Sequence, residues 1–169
     1  MNSSYDWLDF RGKVALVTGA SSGLGEHFLR VLHSRGAQVI ALARRADRLQ
    51  ALKAEMDSSQ ASIDVFTCDV TDAQSVKKTF AELQSRQCIP NMVVNCAGVA
   101  VSKPFFDQTE SDWNQVLDTN LKGAWLVSQE AARLMVASNQ PGSITNIASI
   151  TGLRAAGAIA PYAASKAAL

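Results

Sequence analysis

The chain has 169 residues, a 47% apolar fraction and a formal net charge of +1. Those values describe one domain of ordinary size with enough apolar side chain for a core, and they give no field that would draw nucleic acid or a membrane surface. No window approaches the roughly 18 apolar residues of a membrane-spanning helix, and the first ten residues have neither the basic start nor the apolar run of a secretory signal.

Residues 1–12 are expected to be an N-terminal extension, and residues 13–169 one domain. Lys13 to Thr18 is a continuous apolar run suited to a strand buried on both faces. Gly19-Ala20-Ser21-Ser22-Gly23-Leu24-Gly25 follows, and then Leu24, Phe28, Val31 and Leu32 at helical spacing. A glycine-rich turn between a buried strand and a helix can cradle a phosphate. Glycine lets the backbone approach closely, and the free N–H groups of the helix start face the anion. The spacing is G-x-x-x-G-x-G rather than the commoner G-x-G-x-x-G.

Gly36 closes that helix, and Gln38 to Ala43 is the second strand. An acidic residue at the end of this strand would take a ribose 2′-hydroxyl, whereas arginine accommodates a 2′-phosphate. Here Arg44 and Arg45 follow Ala43, with no acid before Asp47, which favours NADP(H) over NAD(H). Leu49, Leu52 and Met56 form the core stripe of the next helix, and Asp57 to Gln60 is a loop. Ser62 to Cys68 is the third strand, followed by Asp69-Val70; Thr71 and Gln74 have the spacing of a capping box for a helix carrying Val76, Phe80 and Leu83.

Pro90 precedes the fourth strand, Asn91 to Val94, which ends in Asn95-Cys96-Ala97-Gly98, where small residues let a cofactor lie against the backbone. Thr109 and Asp112 cap a long helix bearing Trp113, Val116, Leu117, Leu121 and Ala124. Asn120 falls inside it, unfavourably for the helix, so it is expected to serve through its hydrogen bonds. Pro141-Gly142 breaks the chain, and Ser143 to Ala148 is the fifth strand, delivering Ser149. Five alternations of strand and helix give an α/β doubly wound parallel sheet of three layers.

Pro161 suits the first turn of a last helix, in which Tyr162 and Lys166 are four apart and share a face. A free tyrosine is a poor base near neutrality, and a neighbouring cation favours its phenolate. Ser149 adds a neutral hydroxyl. Cys68, Cys88 and Cys96, odd in number and without paired spacing, are expected to be reduced thiols of a cytoplasmic protein, with no metal site.

The ordered set Thr18-Gly19-Ala20-Ser21-Ser22-Gly23-Leu24-Gly25, Asp69-Val70, Asn95-Cys96-Ala97-Gly98, Asn120, Ser149 and Tyr162-Ala-Ala-Ser-Lys166 resembles the short-chain dehydrogenase/reductase family over Lys13 to Leu169. The resemblance implies a Rossmann-like fold and hydride transfer between the nicotinamide and a small-molecule ketone or secondary alcohol. It implies Tyr162 as general acid and base, with Lys166 favouring its phenolate and holding the nicotinamide ribose. Ser149 would bond the substrate oxygen, and Asn120 would position a water in a proton relay. Where the family commonly has Asn, this chain has Cys96. Family members continue through two more strands and a substrate lid, and are commonly homo-oligomers. Without that part, a non-catalytic fragment that binds dinucleotide, or associates through an unfinished sheet edge, is the alternative expectation. The surviving substrate walls would be Val99 to Phe106 and Gly152 to Ala160.

Overall fold

The structure, a computed structural model, describes residues 8–56 and 61–169. The loop expected at residues 57–60 and most of the N-terminal extension lie outside the described residues. Five strands form one parallel sheet: β1 (Val14–Thr18), β2 (Gln38–Ala43), β3 (Ile63–Thr67), β4 (Met92–Asn95) and β5 (Ser143–Asn146). Their order is β3-β2-β1-β4-β5. The chain moves outward from β1 to β3 and then crosses back to place β4 on the other side of β1. The carboxyl ends of β1 and β4 therefore diverge into a crevice, the place where open α/β sheets bind ligands.

Strand alternation divides the core into two layers. Leu16, Ile40, Leu42 and Val93 face one side, against α3 (Ala73–Ser85) and α5 (Gly123–Ala137). Ala15, Val17, Val39 and Ala41 face the other, against α1 (Gly23–Ser34) and α2 (Ala46–Met56). Leu16, Ile40 and Leu42 are fully buried, each worth about 2 kcal/mol of apolar transfer. β5 is an edge strand, with Ser143, Thr145 and Asn146 exposed.

Several expectations are corrected. The buried face of α1 is Gly25, Leu29, Leu32 and His33, while Leu24 and Val31 are exposed. The tight seat of Gly25 on the preceding turn sets that rotation. The N-cap of α3 is Asp72, whose carboxylate accepts from the Gln74 N–H at 2.9 Å. Thr71 instead donates its N–H and hydroxyl to Asp69 Oδ1, at 3.0 and 2.8 Å. β5 stops at Asn146, two residues short of the expected Ala148.

The long helix is also interrupted. α4 (Glu110–Leu117) passes through a π-turn at Asp118–Lys122 into α5, with Trp113 46% exposed on α4. The capping box of Thr109 and Asp112 is present as expected. A last helix, α6 (Ala160–Ala168), carries Pro161 in its first turn and packs on α4 and on the 3₁₀ turn Ile150–Gly152.

Candidate active site

A cleft of about 660 Å³ opens along the carboxyl edge of the sheet, a volume typical of small-ligand sites. Each strand supplies part of its wall. After β1 come Gly19, Ser21, Ser22, Gly23, Leu24 and Gly25; after β2, Arg44 and Arg45; after β3, Asp69 and Val70; after β4, Ala97 and Gly98. Tyr162 and Lys166 of α6 close the far end. The structure therefore brings fourteen sequence-expected residues to one cavity, since all fourteen are named in the same lining. Asn95, Asn120 and Ser149 are not in that lining.

Close backbone approach explains the glycine-rich turn. Gly19 has φ +68°, and a Cβ there would meet the Ala97 Cα at 2.9 Å. A Cβ on Gly25 would overlap the Gly19 carbonyl oxygen. The turn is thus folded onto the end of β4 and onto its own helix start. Thr18, 1% exposed, clamps the same junction: its hydroxyl oxygen accepts from the Cys96 and Ala97 N–H groups, both at 3.0 Å. The backbone amides at the start of α1 are left beside the cavity, an arrangement suited to an anion.

Arg45 is built into the turn. Its Nη2 donates to Ser21 Oγ at 2.8 Å and to Ser22 Oγ at 2.6 Å, and its Nε donates to Ser21 Oγ at 3.2 Å. Arg44 is an exposed residue on the cleft rim. Asp69 is occupied on one oxygen by Thr71, and its own N–H donates to Ser75 Oγ at 3.0 Å.

Asn95 is 4% exposed and ties strands and helix together. Its Nδ2 donates to Ser128 Oγ and Asn146 Oδ1, both at 2.9 Å, and its Oδ1 has no hydrogen-bond partner. The Asn120 side chain enters through the π-turn, 1% exposed. Its Oδ1 accepts from the Val99 N–H at 2.8 Å, and its Nδ2 donates to the Val99 carbonyl at 3.0 Å and to Ser165 Oγ at 3.1 Å. The extra residue of a π-turn re-aims one side chain out of the regular helical register; here it aims Asn120 at the wall after β4.

Lys166, only 8% exposed, donates from Nζ to the Ile147 carbonyl at 2.6 Å and lies 5.7 Å from the Tyr162 ring centroid. Burial pushes its ammonium below the usual lysine range, and the Cys96 sulfur nearby opposes that shift. Burial likewise pushes the Cys96 thiol up, with Lys166 opposing. The Ser149 hydroxyl oxygen accepts from the Thr151 N–H at 3.2 Å and from the Thr151 hydroxyl at 2.9 Å. Both lone pairs are then engaged, leaving the Ser149 proton free to donate.

Sequence reasoning missed Leu42, Ala43, Cys68, Thr71, Thr119, Ile147 and Ala148 in the lining. The available signal was positional: most immediately end or follow a strand. The three cysteines are free, as expected, with Cys68 and Cys88 buried. Among the described residues no cluster fits a metal ion and no helix is long and apolar enough to cross a membrane.

Comparison with known proteins places this geometry. A family model described as short chain dehydrogenase matches residues 13–169. The chain is 36% identical over 158 residues to a 3beta-hydroxysteroid dehydrogenase of Mediterraneibacter gnavus, covering 93% of this chain and 56% of that protein. It superposes on a short-chain type dehydrogenase/reductase from Mycobacterium marinum with a TM-score of 0.90 at 32% identity, covering 96% of this chain and 65% of that one. A gluconate 5-dehydrogenase from Burkholderia cenocepacia, crystallised with NADP and tartrate, gives a TM-score of 0.89 at 30% identity, covering 95% and 63%. The chain thus spans little more than half to about two thirds of the length of these relatives.

Proposed function

The chain belongs to the short-chain dehydrogenase family, and from that premise we propose that it is an NADP(H)-preferring oxidoreductase acting on a ketone or secondary alcohol. The observation that carries the reading is the placement of Tyr162 and Lys166 in the same cavity as the glycine-rich turn. A dinucleotide suits that cavity. The space a Cβ would fill at Gly19 and Gly25 is taken by close backbone contact, so amide groups rather than side chains face the ligand. The end of β2 presents two guanidinium groups and no carboxylate. The complex of the Burkholderia cenocepacia relative with NADP supports the same preference.

Residues Gly19 to Gly25 would hold the pyrophosphate, Arg44 and Arg45 the 2′-phosphate, Asp69 and Val70 the adenine, and Asn95 to Gly98 the middle of the cofactor. When bound, the nicotinamide supplies or accepts the hydride. The chain's own groups handle the proton. In the reducing direction the Tyr162 hydroxyl gives its proton to the carbonyl oxygen as that oxygen takes up charge, and solvent reprotonates the phenolate. The Lys166 ammonium, held on the Ile147 carbonyl, stabilises that phenolate electrostatically. Ser149, with its oxygen fixed by Thr151, directs its hydrogen at the same substrate oxygen. Asn120 holds the wall at Val99. The free thiols accord with a cytoplasmic location.

The test is label transfer from NADPH deuterated at C4 to a ketone substrate. Deuterium on the carbinol carbon of the product is expected; a product alcohol labelled only from solvent would overturn the proposal.

A further inference from the structure

Lys166 and Tyr162 do their work from α6, so whatever fixes α6 fixes the reaction geometry. Two contacts grip that helix beside them. On one side the turn after Ser149 touches its backbone: a Cβ on Gly152 would lie 2.8 Å from both the carbonyl carbon and the carbonyl oxygen of Lys166. On the other side stands Ser165, fully buried. Its hydroxyl donates to the Tyr162 carbonyl at 2.7 Å and accepts from Asn120 Nδ2 at 3.1 Å.

Inside a helix serine is a poorer helix former than alanine. The geometry supplies a reason for it. The hydroxyl is a link in a continuous chain of hydrogen bonds that runs from the cleft wall at Val99, through the π-turn at Asn120, to the backbone of Tyr162 itself. Neither Asn120 nor Ser165 lines the cleft. Asn120 reaches the cleft through Val99, and Ser165 acts on the reacting atoms through α6.

We propose that Ser165 is a positioning residue for the hydride-transfer reaction, coupling the Asn120 π-turn to the Tyr162 backbone; this rests on the function proposed above. Replacing the hydroxyl by hydrogen leaves one Asn120 amide proton without a partner and releases α6 from the wall after β4. The cofactor contacts at the glycine-rich turn are untouched.

Two readouts test this. In ¹⁵N-labelled protein without cofactor, Ser165→Ala is expected to speed exchange of one Asn120 Nδ2 proton at least about tenfold, while the proton bonded to Val99 stays protected. In an active preparation, one in which Tyr162→Phe abolishes NADPH-coupled carbonyl reduction, Ser165→Ala is expected to lower kcat about tenfold with the Kd for NADPH changed less than about twofold. An unchanged kcat overturns the proposal whatever the amide protons do. A parallel loss of NADPH affinity overturns it as well, because the residue would then act on the fold of the cleft as a whole. Where Ser165→Ala does not fold, Ser165→Cys, whose thiol is a weak hydrogen-bond acceptor, is held to the same outcomes. Turnover that survives Tyr162→Phe refutes the role proposed for Tyr162 instead, independently of Ser165.

Discussion

Removal of the Arg45 side chain tests the cofactor assignment where the structure is most explicit. Its guanidinium is anchored by three hydrogen bonds to Ser21 and Ser22 at 2.6 to 3.2 Å, so its charge is pre-placed on the phosphate-binding turn. A charge-assisted bond to a 2′-phosphate is worth about 1.5–3 kcal/mol. Arg45 is exposed, so solvent screening places the expected loss at the low end, about 1.5–2 kcal/mol. That is roughly a ten- to thirtyfold rise in the Kd for NADPH. NADH lacks the 2′-phosphate, and its Kd is expected to change less than about threefold. The assay is a fluorescence titration of Arg45→Ala with each cofactor at low salt and again near 1 M salt, where the Debye length falls to about 3 Å and the difference between the cofactors should shrink. Equal weakening of NADPH and NADH would refute the reasoning, because Arg45 would then be supporting the turn rather than reading the 2′-phosphate.

Two further outcomes follow from contacts elsewhere. Gly25→Ala places a Cβ on the Gly19 carbonyl oxygen; it should cost about 1–3 kcal/mol of stability and weaken NADPH at least about tenfold, and unchanged affinity in the titration would contradict the close-packed cradle. The Lys103 ammonium beside Asp112, reinforced by the Thr109 N–H and hydroxyl, holds the Asp112 carboxyl down to about 2. Its folded value lies below the unfolded value near 3.9, so the stability it contributes is present above about pH 4 and lost as pH falls towards about 2. In urea denaturation the gap between the parent and Asp112→Asn should therefore be widest above pH 4 and close by pH 2; a constant gap would mean that the ionised carboxylate contributes nothing.

The readability of this fold in the sequence varies with the kind of interaction involved. β1 and β2 are legible because they are buried on both faces and written as continuous apolar runs. The α1 register was misread because Leu24 faces the cleft while the polar His33 is buried. No periodicity signals a glycine packed against its own turn. The cap of α3 was misread by one residue because Thr71 and Asp72 are both good caps, and Asp69 competes for Thr71. Tyr162 and Lys166 were legible because one helix carries both. Asn120 was legible as an anomaly, but its partners were not, since they come from a loop and from α6, 21 and 45 residues away in sequence. The anchoring of Arg45 to the serines of the turn was equally invisible, being a contact across 23 and 24 residues.

The central claim is that Tyr162 moves the proton in a cleft that binds the cofactor without it. The most direct measurement compares Tyr162→Phe with the parent in an active preparation, recording single-turnover NADPH oxidation by a ketone and NADPH binding side by side. The expected result is a rate lowered at least about a hundredfold with the Kd for NADPH within about threefold of the parent. A variant that reduces the ketone within about tenfold of the parent rate would contradict the claim and move the proton donor elsewhere in the cleft.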